Sequence, residues 1–116
     1  MKFNKTCIGD VTVVYLSGRL FSLSADELQQ YGDRLIKDLG RSFVLNLQDV
    51  NYVSSGGLRS LIYLTKKLNK RGQQLYLTEL QPKIEDIIDM SGLGAIFKVV
   101  DSEDDAIEEC RGECKE

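Results

Sequence analysis

Histidine is absent from the chain. Without it no Ser-His-Asp or Cys-His triad can be assembled, nor any zinc site that uses imidazole. Cysteine is scarce, and three thiols cannot all pair with one another. Cys110 and Cys114 are close in sequence while Cys7 is remote, which reads as reduced thiols in the cytoplasm. No apolar run approaches the roughly 20 residues that a membrane-crossing helix needs. Met1 to Thr6 lacks the apolar stretch of a secretion signal. No membrane insertion is therefore expected. The phosphate-cradling glycine motifs are missing too: there is no G-x-G-x-x-G, and no glycine pair is followed by Gly-Lys-Ser/Thr. No cofactor and no metal site are expected.

What is present fits one domain spanning residues 1–116. A chain of this length buries roughly two-thirds of its unfolded surface and needs no covalent staples. Hydrophobic residues at 42% and charged residues at 28% are the balance of a soluble globular protein. The charge is unevenly placed. Residues 101–116 hold eight acids and two bases, and residues 1–100 hold thirteen bases and ten acids. The overall charge of −3 thus combines a mildly basic body with an acidic C-terminal tail at about 111–116. That body is not basic enough to argue for nucleic acid.

Two strands are predicted at 3–8 and 11–17, separated by the hairpin pair Gly9-Asp10. Ser24-Ala25-Asp26-Glu27 has the pattern of a capping box, and Leu28, Leu35 and Leu39 then recur at helical spacing until Gly40. A helix is expected at about 24–39. Ser42 to Leu47 reads as a buried central strand, followed by a loop from Gln48 to Val53. A second helix should begin near Ser54-Ser55 and run to about Asn69, with Leu58, Leu61, Ile62, Thr65 and Leu68 as its apolar stripe. Gln74 to Thr78 is a strand. Pro82 suits the first turn of a third helix, which Ser91-Gly92 closes. Ile96 to Val100 reads as a last strand, and Ser102 caps a final helix through about Cys110. This order implies an α/β fold: a mixed β-sheet with an opening hairpin and about four helices packed on it.

The segment best placed for chemistry is Asp49 to Arg59, at a strand-to-helix junction. A helix start offers free backbone N–H groups and about half a positive charge. A serine there either caps the helix or exposes a hydroxyl able to accept a phosphoryl group, and Ser54 and Ser55 both qualify. Gly56 and Gly57 leave an uncluttered surface beside them, although packing against the sheet would explain one glycine equally well. From Val50 to Thr78 there is no acid. Arg59, Tyr63, Lys66 and Lys70 share one helix face. That face is either a solvated exterior or a docking surface for an acidic partner.

Leu45-Asn46-Leu47, then Val53 to Leu58, then Met90-Ser91-Gly92-Leu93 with Ile96-Phe97 resemble the STAS family, which contains anti-sigma factor antagonists and sulphate-transporter-associated domains. The resemblance covers about residues 8 to 108, and the stand-alone length looks like a bacterial antagonist. It implies a single STAS-like domain with Ser55 as phosphoacceptor and Ser54 as the alternative. Ser54 stands where the family usually has aspartate. Phe21, in Gly18-Arg19-Leu20-Phe21, replaces a second familiar acid. Resemblance and charge pattern together place partner binding at Phe21, Ser54, Ser55, Gly56, Gly57, Arg59, Tyr63 and Lys66. The implied partners are an anti-sigma factor serine kinase and a PP2C-type phosphatase, with the protein itself a monomer or weak dimer. The resemblance implies a phosphorylation-controlled binding switch in transcription regulation and not an enzyme. The alternative is a non-phosphorylated scaffold or accessory subunit of a signalling complex or transporter.

Overall fold

The computed structural model describes residues 1–114, with side chains through residue 112. Its strands are β1 (Lys2–Ile8), β2 (Val11–Leu20), β3 (Phe43–Val53), β4 (Leu75–Thr78) and β5 (Lys98–Val100). Its α-helices are α1 (Ser22–Leu39), α2 (Ser55–Asn69), α3 (Pro82–Met90) and α4 (Glu103–Cys114). The five strands form one sheet in sequence order. β1 and β2 are an antiparallel hairpin, and β2 to β5 run parallel. The hairpin turn needs Gly9, whose φ of 63° lies in the left-handed region. This is the mixed sheet with an opening hairpin that the element order implies.

Alternation along the strands assigns the helices to faces. Val14 and Leu16 of β2, Phe43 and Leu45 of β3, and Leu75 and Leu77 of β4 form one core. It includes Leu28, Leu35 and Ile36 of α1, Leu61, Leu64 and Leu68 of α2, and Ile84 and Ile88 of α3. The residues between them, Val13, Val44 and Tyr76, face the other way and meet Ala106, Ile107 and Cys110 of α4. Three helices therefore cover one face and α4 the other. Each apolar residue removed from water contributes about 25 cal/mol per Å².

The expected loop from Gln48 to Val53 is strand. β3 continues beside β2, pairing Ser17 with Asp49 and Leu20 with Val53. The register slips twice, between Tyr15 and Ser17 and between Gly18 and Arg19, and each time β3 gains one residue. These bulges break the two-residue alternation, so that Val50 and Val53 are buried three apart. Side-chain chemistry repairs the first bulge: the Gln48 N–H donates to Asn46 Oδ1 at 2.9 Å.

Four other boundaries differ from expectation. β2 reaches Leu20, and α1 begins at Ser22 rather than Ser24. β5 is short because Leu93–Ala95 form a 3₁₀ turn and Phe97 turns into the core. α4 continues to Cys114, so the acidic tail is helical through the described residues. Lys115, Glu116 and the side chains of Glu113 and Cys114 lie outside them. Ser102 caps α4 as expected, its Oγ accepting from the Asp105 N–H at 3.2 Å. No helix among the described residues is long and apolar enough to cross a membrane.

A polar seam runs under the start of α4. Asn46 Nδ2 donates to Glu103 Oε1 at 2.9 Å, and the Glu103 N–H donates to Glu79 Oε2 at 2.9 Å. Glu79 holds a φ of 58°, a strained conformation for a residue with a side chain. These groups, with Tyr15, Gln48, Ser102 and Asp104, line a cavity of about 330 Å³. Burial, and then the hydrogen bond and charge of Glu103, push the Tyr15 phenol up to about 12. An unfolded chain ionises this group near pH 10. The folded state gains from the neutral phenol below that value and loses the gain as pH rises through about 12. Tyr15→Phe is therefore expected to remove a late step from the phenolate absorbance titration. An unchanged curve would place the late ionisation elsewhere.

Candidate functional site at the start of α2

β3 delivers the chain to this site, and the end of β2 anchors it. The Ser54 N–H donates to the Leu20 carbonyl at 2.9 Å. Ser54 then adopts an extended conformation, φ −89° and ψ 174°, and acts as the N-cap of α2. Its Oγ accepts from the Gly57 N–H at 3.2 Å, satisfying one of the free donors of the first turn. Ser54 is half-buried, and Ser55, the first helical residue, is exposed. Among the described residues the Ser55 hydroxyl has no hydrogen-bond partner. No acid occupies the first turn of α2, so the positive end of the helix dipole is uncompensated by side-chain charge.

The two glycines play different parts. Gly56 is half-buried beside α1, and a β-carbon on it would sit 3.4 Å from Ser22 Cα. Gly57 is buried, and a β-carbon there would lie 2.6 Å from the Leu20 carbonyl oxygen and 2.9 Å from Leu20 Cγ. Gly57 thus faces the sheet rather than an incoming partner. Its glycine identity comes from the close approach of α2 to the end of β2.

Phe21 takes the N-cap position of α1 although its side chain accepts nothing. Ser24, expected to be that cap, reaches back instead. Its Oγ accepts from the Phe21 N–H at 2.9 Å and donates to the Arg19 carbonyl at 2.7 Å. The Phe21 ring is left 42% exposed, with Leu23 at 67% and Tyr52 at 41%. The β2–β3 register sets Arg19 beside Tyr52, and the Arg19 guanidinium lies 4.8 Å from the ring centroid. Ser22, between Phe21 and Leu23, lies against Gly56, the residue after Ser55: a β-carbon on Gly56 would sit 3.4 Å from Ser22 Cα. Arg19, Leu23 and Tyr52 were not singled out from the sequence. Their signal was position, within three residues of the marked Phe21 and Ser55.

On the outer face of α2, Arg59, Tyr63, Lys66 and Lys70 are all exposed. Tyr63 is engaged sideways with α1: its hydroxyl donates to both Asp33 oxygens at 3.0 Å. Lys67 Nζ also reaches Asp33, at 2.6 Å, and that hydrogen bond holds its ammonium above the usual range. Arg59 and Lys66 form no ion pair among the described residues. The basic face therefore divides into a cluster tied to α1 and cations open to solvent.

The fold and this helix start define a small α/β module that presents a serine and an apolar rim at one end of a parallel sheet. The chain belongs to the STAS domain family, whose model matches residues 2–106. It is 30% identical to a Bordetella bronchiseptica protein named as a candidate anti-sigma factor antagonist, BtrV, over 91% of each chain. It is 29% identical to an anti-sigma F factor antagonist of Paenibacillus polymyxa, covering 85% of this chain and 86% of that one. Among solved structures it matches an anti-sigma factor antagonist from Mycobacterium paratuberculosis with a TM-score of 0.84 and 25% identity. That match covers 95% of this chain and 93% of the other.

Proposed function

We propose that this protein is an anti-sigma factor antagonist acting in the cytoplasm. Unmodified, it binds an anti-sigma serine kinase and frees a sigma factor or similar regulator. The kinase moves the γ-phosphoryl group of ATP to Ser55 Oγ, ADP leaves, and the complex separates. A PP2C-type phosphatase restores the hydroxyl. The observation that carries this reading is the contrast between the two serines. Ser54 Oγ is committed to the Gly57 N–H, whereas Ser55 is exposed and uncommitted.

The switch works by charge. A phosphate adds about −1.5 to −2 charges and three strong acceptor oxygens. At a helix N-terminus the antagonist itself tolerates that charge. At an interface rimmed by Phe21, Leu23 and Tyr52 it must be desolvated or repelled, so binding is lost without refolding. Docking uses Phe21, Ser54, Ser55 and Gly56, with Arg59 and Lys66 facing acidic groups of the partner. Tyr63 borders that surface, and Gly57 supports it from below.

Incubation with ATP, Mg²⁺ and its anti-sigma serine kinase, followed by mass spectrometry, tests the assignment. One phosphate on Ser55, absent in Ser55→Ala, is expected. Phosphate on Ser54 alone would overturn the residue assignment. No phosphate on either would favour a second reading, that of a scaffold or accessory subunit. That reading draws on Ser54 and Phe21, which stand where the family resemblance leads one to expect acids.

A further inference from the structure

We infer that Arg59 becomes the counter-ion of the phosphate once Ser55 is modified, so that phosphorylation also withdraws a cation from the docking surface. This rests on the reading of Ser55 as phosphoacceptor and adds to it a mechanism of release. Ser55 and Arg59 stand four residues apart on α2, and both are exposed. Side chains at that spacing are neighbours on a helix, with β-carbons about 5–6 Å apart. Among the described residues Arg59 has no ion pair to give up. A guanidinium meets phosphate oxygens with two parallel N–H donors, a geometry that a lysine ammonium does not reproduce.

The competing cations are placed less well. Arg19 is held over the Tyr52 ring. Lys67 is paired with Asp33. Lys66 lies eleven residues beyond Ser55, about 16 Å along the helix axis. The stretch from Val50 to Thr78 contains no acid to draw Arg59 away locally. In the unmodified protein Arg59 thus has no ion pair among the described residues and lies one helical turn beyond Ser55. In the modified protein it turns to its own helix start. A partner that reads Arg59 through an acidic group loses that contact at the moment it meets the phosphate.

The test uses chains carrying phosphoserine at position 55, installed by semisynthesis, with Arg59 retained or replaced by Gln or Lys. Phosphorus NMR then follows the second ionisation of the phosphate. The other charged groups on the elements around this helix start are Arg19 on β2, Asp49 on β3, Asp26, Glu27, Asp33, Arg34, Lys37 and Asp38 on α1, and Lys66 and Lys67 further along α2. They are the same in every chain and cancel in the comparison. A nearby guanidinium favours the dianion, so R59Q is expected to raise the midpoint by about 0.3 pH unit, R59K by less, and high salt to close the gap. An R59Q midpoint equal to or below that of the parent chain overturns the inference. Because the phosphate is built in, that outcome is independent of whether a kinase modifies Ser55.

Discussion

Ser55→Asp is expected to lower affinity for the proposed anti-sigma kinase partner about 100-fold, a few kcal/mol, while Ser55→Ala binds like the parent chain. The carboxylate would sit at the first position of α2, whose opening turn carries no acid. A negative charge there interacts favourably with the helix dipole, by about 0.3–1 kcal/mol at an exposed site. The variant should therefore be as stable as the parent or slightly more so. Loss of binding together with unchanged thermal stability separates an interface effect from unfolding. Phe21, Leu23 and Tyr52 are exposed apolar side chains offered to a partner, and a carboxylate pressed into such a contact must shed water without a partner. Calorimetric titration of the three chains with the kinase measures the effect. Equal affinity in all three sinks the switch.

The largest expected effect on stability comes from Gly57→Ala. Its new methyl group would lie 2.6 Å from the Leu20 carbonyl oxygen, a backbone atom already fixed by the Ser54 N–H. Neither partner can retreat without opening the joint between β2 and α2. Overpacking of this kind costs about 1–3 kcal/mol, and the alanine's better helix propensity offsets less than about 1 kcal/mol of it. Gly56→Ala is the internal control. Its methyl group would meet nothing closer than 3.4 Å, so this change should be neutral or mildly stabilising. Urea unfolding of both variants checks the contrast. Equal midpoints would mean that α2 does not pack against Leu20 as described. The pair also bears on the site, because Gly57 shares the first turn of α2 with Ser55.

Much of this was readable along the chain. Val11 to Leu16, Phe43 to Leu47 and Leu75 to Thr78 are dense in β-formers. The leucines of α2 repeat at helical spacing, and Gly9-Asp10 marks the hairpin. Such signals are local and survive any packing. The serine pair could be narrowed to two residues in the same way, because a cap and a first-turn residue are adjacent by definition.

Which serine caps and which stays free depended on the end of β2. The Leu20 carbonyl holds the Ser54 N–H and so fixes Ser54 as the extended cap, leaving Ser55 to open the helix. The strand from Gln48 to Val53 was hidden because two bulges break the alternation that marks a strand. The cap of α1 was misplaced by three residues because Ser24 accepts from a residue behind it. The inward-facing Gly57 and the engagement of Tyr63 with Asp33 each join residues remote in sequence. Sequence by itself determined the elements, their order and the candidate hydroxyls, since these depend on neighbours within a few positions. Tertiary structure alone decided register, which way each residue faces and which hydroxyl is left unbonded, since these depend on contacts between strands and helices far apart in the chain.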